Sequence, residues 1–301
     1  MNKKAYFFSV TVLIIVAGIY LTMVYSSSMN LERENVIQEE RIKQLNSIIT
    51  AFEKDTSDAL KITSTRSLVA LTEEVGDSSL LDNMQELEER FEELAVQGTF
   101  DGEKNGFMEN STLQNWTTAI ENIFDGYNSE VNFDIGNVVI EQSTYSKVQV
   151  RVVLNYTIED PRYGIKWDKK NREFTTSIDI NGLKDPLYTH YTDGEYENII
   201  NITSAPSDGE LELHVMNQYY IESSNAPSYL QRFINVNEGD FKLGIESLIN
   251  TPLKEQAGFT IEDTSIIDWQ YFITNPDTYC TDANLPSWIK INLTENYPID
   301  C

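Results

Sequence analysis

Few side chains in this chain are spaced to do chemistry. Two histidines, His190 and His214, stand apart in sequence. His190 lies in DPLYTHYTDGE among tyrosines and acids, and His214 lies in an alternating, strand-like run. Neither accompanies a Gly-x-Ser-x-Gly elbow, an H-E-x-x-H helix or a cysteine in a nucleophile's setting. No glycine-rich phosphate loop is present. Both histidines read as structural, and no catalytic residue or cofactor is assigned. Paired acids abound, but a glycosidase needs two carboxyls at a fixed separation in space, which sequence spacing does not define. One acidic cluster has cation-site spacing. In Asp101-Gly102-Glu103-Lys104-Asn105-Gly106, Asp101, Glu103 and Asn105 supply oxygens at alternate positions with glycine at the sixth. That is the first half of a twelve-residue calcium loop. The twelfth position is Thr112, where a bidentate Glu is required, so the stretch reads as a plain acidic loop, with a calcium site as the alternative.

The two cysteines, Cys280 and Cys301, are an even count. In an oxidising compartment they read as one disulfide, with two free thiols as the alternative. Closing a loop of about 22 residues contributes roughly 3 kcal/mol by chain entropy. Sequons occur at Asn110, Asn115, Asn155, Asn201 and Asn292. Their number is near chance for a chain this rich in Asn, Ser and Thr. They are candidate glycosylation sites wherever the chain lies outside a cell.

The elements that hold these residues begin with a charge-free run, AYFFSVTVLIIVAGIYLTMVY, at 5–25. As a helix it spans roughly 31 Å, the hydrocarbon thickness of a bilayer. Lys3 and Lys4 precede it, and Glu32, Glu34, Glu39 and Glu40 follow. The lysines predict a cytoplasmic N-terminus and an extracellular remainder, hence a single-pass protein of the cell membrane with the bilayer as partner. Residues 1–4 are expected to be a cytoplasmic stub, which excludes a receptor with its own intracellular output. The alternative is a cleaved signal peptide, but those have shorter apolar regions and a small-residue cleavage site. The candidate sites here, around Ser26 and Ser28, are weak.

Formal charge is −26, from 48 acidic and 22 basic residues. Nucleic-acid binding needs a positive footprint and is excluded as a function class. The acidity reads as a soluble, aggregation-resistant surface.

Residues 26–126 read as helical. The stripe Ile42, Leu45, Ile49 and Phe52 has 4-3 spacing and is expected to be an assembly or docking surface, against the chain's own globular part or a neighbouring copy. The pattern continues to about Val75, where Gly76 and Asp77 break it. Ser79 with Asp82 is expected to cap a second helix that Gly98 stops. Ser111 with Gln114 reads as a capping box for a third, which Gly126 ends. The period then changes. Residues 131–141, 148–158 and 174–180 alternate as strands, with 160–171 as an exposed turn. Helices followed by strands predict an α+β fold, with the helices on an antiparallel meander over 127–182. Residues 183–301 read as a mixed α+β part: strands at 211–215, 218–221, 265–273 and 287–293, and a short helix after Pro227.

This order resembles type IV pilins and pseudopilins: basic N-terminus, apolar helix running into an amphipathic one, antiparallel meander, late disulfide. In that family the first helix anchors the subunit, packs in a filament core and holds the sheet outward. The apolar run here lacks the early Glu usual in the family. STRSLVAL (64–71), MENSTLQNW (108–116), GLKDPLY (182–188), APSYL (226–230), GIESLIN (244–250) and SIIDWQYF (265–272) resemble a set of uncharacterised archaeal surface-anchored proteins. That resemblance implies an exterior location and lends no activity.

The expected function is a non-enzymatic, membrane-anchored surface protein, pilin-like in layout, acting in assembly or adhesion by self-association or with other surface proteins. The alternatives are an anchored ectodomain that binds an envelope glycan or cation, and an anchored hydrolase.

Overall fold

The computed structural model describes residues 3–191, 198–204, 217, 219–223, 226–235 and 242–247, and two short strands at 279–280 and 291–292. For 3–19 and 24–35 only the backbone is described. The expected strands at 211–215 and 265–273, and His214, lie outside the described residues.

The apolar and polar halves of the N-terminal region are one helix, α1 (Lys3–Asp77), of 75 residues. At 1.5 Å per residue it is about 110 Å long. No proline interrupts it, and it ends at the Gly76-Asp77 break. Among the described residues no helix is long and apolar enough to cross a membrane. Residues 5–25 lie within α1, and the described residues give no support for a membrane span there. Of that run only 20–23 have described side chains.

Helix α2 (Met84–Gln97) and helix α3 (Leu113–Gly126) pack with α1. Their caps fall one residue beyond the predicted ones. Asn83 caps α2, accepting from the Glu86 N–H, while the Glu86 carboxylate accepts from the Asp82 N–H at 2.8 Å. That reciprocal pair satisfies one open donor of the helix and one of the residue before its cap, and the cap is supplied by neither Ser79 nor Asp82. Thr112, not Ser111, caps α3: its hydroxyl accepts from the Asn115 N–H and donates to Asn115 Oδ1. Gly98 ends α2 at φ 76°, the left-handed conformation glycine adopts without strain.

The meander has the order β3-β4-β5, all antiparallel, formed by β3 (Glu130–Thr144), β4 (Lys147–Asp160) and β5 (Ile165–Asp179). A small hairpin, β1 (Thr99–Phe100) with β2 (Glu103–Lys104), precedes it. Along β4 every second residue from Val148 to Asp160 is buried under the helices. The predicted turn at 160–171 is much shorter: Asp160 pairs with Ile165, and only 161–164 connect the strands. Half-buried Ile165 and Trp167 alternate with exposed Lys166 and Asp168, a period of two concealed by charge. Nothing pairs with β5 on its other side among the described residues, and lysines there discourage edge-to-edge association.

Beyond the meander lie α4 (Pro186–Tyr191), β6 (Tyr220–Ser223) paired with β7 (Gly244–Ser247), and a 3₁₀ turn at Leu230–Phe233 after Pro227. Strands β8 (Tyr279–Cys280) and β9 (Ile291–Asn292) pair with each other. One buried cluster runs from Leu45 through the sheet to Tyr220, Phe233 and Ile245, across the expected boundary at 182.

Candidate functional site

The most informative site is the joint where α1 enters the head. Residues 36–44 of α1 are exposed except for half-buried Arg41. From Leu45 onward one side of the helix is buried. Of the predicted stripe, Leu45 is 0 % exposed, Ile49 6 % and Phe52 4 %, whereas Ile42 is 38 % exposed. Three of the four residues are thus core of the chain's own head and not an open assembly surface. The sheet supplied the apolar partner that the sequence left unspecified.

Phe52 is the centre of that core. Its ring meets Tyr156 at 4.9 Å, Phe133 at 5.8 Å and Phe124 at 6.2 Å, all edge-on. Edge-to-face contacts of this kind add about 0.5–1.5 kcal/mol each beyond burial. One residue on, Glu53 accepts from the Tyr156 hydroxyl at 2.6 Å and from Arg172 at 3.0 Å. Burial first, then the adjacent Glu53 carboxylate, pushes the Tyr156 phenol well above the ordinary tyrosine range. The Trp116 indole donates to Asp55 at 3.2 Å. A single turn of α1 therefore ties α3, β4 and β5 together.

Arg41 pins the joint. Its Nε donates to Asp160 Oδ2 at 2.6 Å, and its Nη2 donates to Ser129 Oγ at 3.0 Å and to the Tyr127 carbonyl. Asp160 is buried at the β4–β5 turn. Its Oδ1 accepts from the N–H groups of Arg162 and Tyr163. An open groove of about 230 Å³ beside this pair is lined by Ile37, Arg41, Tyr127, Asp160, Arg162 and Tyr163.

The same device recurs beside the C-terminal end of α1. Asp185 Oδ1 accepts from the Leu187 N–H, and its Oδ2 receives Arg232 Nη1 at 2.7 Å and the Tyr220 hydroxyl at 2.6 Å. Asn198 donates to the Tyr220 hydroxyl at 2.8 Å. Arg232 also donates to the Ile245 carbonyl, and its guanidinium lies 5.6 Å from the Tyr220 ring centre. Asp185 and Arg232 are both fully buried. The network joins α4, β6, β7 and the 3₁₀ turn. Sequence reading missed all four charged residues of these two pairs. The signal was there: Asp160-Pro161 and Asp185-Pro186 are the turn-starting dipeptides in which the Asp side chain caps the backbone two residues on.

The calcium pattern is a hairpin turn. Asp101 and Gly102 have φ of 52° and 80° between paired Phe100 and Glu103, the conformation an Asp-Gly two-residue hairpin favours. Asp101 meets Arg90 at 3.0 Å, and the Asn105 amide donates to Glu74 at 2.7 Å. The Asn105 Oδ1 accepts from the Phe107 N–H at 2.9 Å, so two of the three oxygen-bearing side chains of the pattern have partners within the protein. Glu93 holds this hairpin. Burial raises its pKa, but the Gly102 N–H, the Thr99 hydroxyl, Arg90 and the Asp101 N–H outweigh that and keep its carboxyl below the usual range. Among the described residues no three His, Cys, Asp or Glu converge as a metal site. His190 Nδ1 lies 3.1 Å from the Val75 carbonyl, tying α4 to the end of α1.

Asn110, Asn115 and Asn201 are exposed, Asn155 is half-buried in β4, and Asn292 lies in β9. Cys280 sits opposite Ile291, and Cys301 lies outside the described residues. Comparison with protein-family models, with curated proteins and with solved structures finds no match to this chain.

Proposed function

We propose that this chain is a membrane-anchored surface protein, pilin-like in layout, whose first helix is at once anchor, stalk and structural core, and which acts in surface assembly or adhesion. The observation that carries this reading is the exposure of three apolar side chains near the start of α1. Tyr20, Leu21 and Met23 are 67, 65 and 67 % exposed. At 100° per residue they point to different sides, and a helix that is apolar all round requires an apolar surrounding. Each such side chain gains about 1.5–3 kcal/mol on leaving water. The charge-free run of 5–25, flanked by Lys3 and Lys4, supplies the length and the orientation of a bilayer anchor. The polar helix after it carries the head away from the membrane, and the last half of α1 serves as the head's central strut. In this setting the head faces an oxidising exterior, where Cys280 and Cys301 pair.

Membrane fractionation with N-terminal mass spectrometry tests the reading. The protein is expected to resist alkaline carbonate, to leave the membrane only in detergent, and to keep residues 6–25. A mature N-terminus near Ser28, or release by carbonate, removes the anchor. An N-terminus at Tyr6 favours filament assembly over a solitary anchored head. Non-reducing peptide mapping is expected to link the Cys280 and Cys301 peptides; full alkylation of both in unreduced protein excludes the disulfide.

A further inference from the structure

We propose that Asn110 is the principal site of N-linked glycosylation on this protein, on the membrane-distal part of the head. The inference rests on the exterior placement of the head proposed above.

The described sequons differ in what their asparagines already do. Asn155 sits mid-strand, where its Nδ2 donates to Asp134 at 3.0 Å and its Oδ1 accepts from the Asn171 N–H at 2.7 Å. A sugar on that nitrogen has to displace a contact within the sheet. Asn115 is in the first turn of α3, where the Thr112 hydroxyl holds its Oδ1. Asn201 is exposed, but its carbonyl accepts from the Tyr220 N–H and the next residue bridges to Tyr220. Asn110 stands in a turn, outside any helix or ladder. It is exposed, at φ 59°, and among the described residues no hydrogen bond holds its side chain. Asparagine takes that left-handed conformation at little cost, which leaves its amide projecting from a turn.

The surroundings suit a sugar. A groove of about 420 Å³ beside Asn110 is lined by Lys104, Asn105, Glu109 and Asn115, all able to hydrogen-bond hydroxyls. Ser111 next to it is hydrogen-bonded by Arg66 of α1. Arg66 lies roughly 60 Å along the helix from residue 25, so a glycan here extends away from the bilayer. The donor class is an isoprenoid-phosphate-linked oligosaccharide presented by a membrane transferase. The Asn110 Nδ2 bonds to the anomeric carbon, the carbon–oxygen bond to phosphate breaks, the phosphate leaves with the electron pair, and one Nδ2 proton passes to a base on the transferase. Thr112, the sequon hydroxyl, is buried as the α3 cap, so the transfer precedes closure of that turn.

The test is glycopeptide mass spectrometry, with electron-transfer fragmentation, of full-length protein from its native membranes. The expected result is a sugar mass on Asn110 at higher occupancy than on Asn115, Asn155 or Asn201. Asn110→Asp, which keeps the left-handed turn, is expected to lose that mass and to keep the thermal midpoint within a few degrees. An unmodified Asn110, or higher occupancy on Asn155, overturns the proposal. Labelling of intact cells with a membrane-impermeant amine reagent separates the two readings. A labelled head with a bare Asn110 refutes this inference alone, and an unlabelled head refutes the exterior placement beneath it.

Discussion

Asp160 and Asp185 each divide their carboxylate between two tasks. One oxygen closes a turn made by the following proline segment, and the other receives an arginine from far along the chain, Arg41 or Arg232. The turn is local and the arginine is not, so each pair fixes where a loop lies against a distant element. The two pairs differ in environment. Asp185 and Arg232 are wholly out of water, where the attraction must offset a large desolvation cost. Removing one partner leaves the other charged and buried. Arg232→Met is therefore expected to cost about 3–5 kcal/mol, read as a lower urea midpoint. Asp185→Asn combined with Arg232→Met is expected to recover part of that loss, the non-additivity of residues in contact. A single-variant loss below about 1 kcal/mol would mean that water reaches the pair.

At the scale of elements, α1 carries the fold. Its buried side alternates large residues with small hydroxyl ones. Thr56, Ser67 and Thr72 are buried, and each hydroxyl donates to the carbonyl one turn back. That satisfies the polar group without an outside partner and lets the sheet and α4 approach the helix closely. Leu45, Ile49 and Phe52 then fill the space under β3 and β4. Placing charges there tests whether the stripe is core or contact. Leu45→Glu with Ile49→Glu is expected to unfold the head, because burying an unpaired carboxylate costs several kcal/mol and the leucine's packing is lost with it. Circular dichroism and the thermal midpoint read this directly. A folded monomer that merely loses an oligomer would return the stripe to the role of assembly surface.

At the scale of the molecule, the exposed stretch of α1 meets the head at one partly buried ion pair. Arg41 holds the β4–β5 turn and the end of α3 to the helix at the point where its cover begins. Residues 36–40, just below this point, are exposed. Arg41→Ala removes a charge-assisted set worth about 1.5–3 kcal/mol. Amide exchange across 36–50 is expected to speed up roughly tenfold or more, since each 1.4 kcal/mol is a factor of ten. The strands of the meander are expected to keep their protection. Unchanged exchange in 36–50 would place the restraint elsewhere, and loss of protection throughout would make Arg41 part of the global core.

Periodicity alone determined much of this protein. The charge-free run, the helix breaks at Gly76 and Gly98, the switch from a period near 3.6 to a period of two, and the α+β class all follow from local spacing, because amphipathic elements declare which face must leave water. Boundaries failed where local signals tied: the caps moved by one residue because neighbouring Ser, Thr, Asp and Asn can each cap, and backbone geometry chose among them. The hidden half of β5 failed because charges on an edge strand mask its alternation. What only tertiary structure decided was pairing. Whether Leu45 meets a sheet or a neighbour, whether Asp101 and Asn105 converge on a cation, and which arginine reaches Asp160 or Asp185 depend on residues 47 to 119 positions apart or on the conformation of a two-residue turn. Spacing along the chain fixes which face of an element is apolar, but not which element lies across from it.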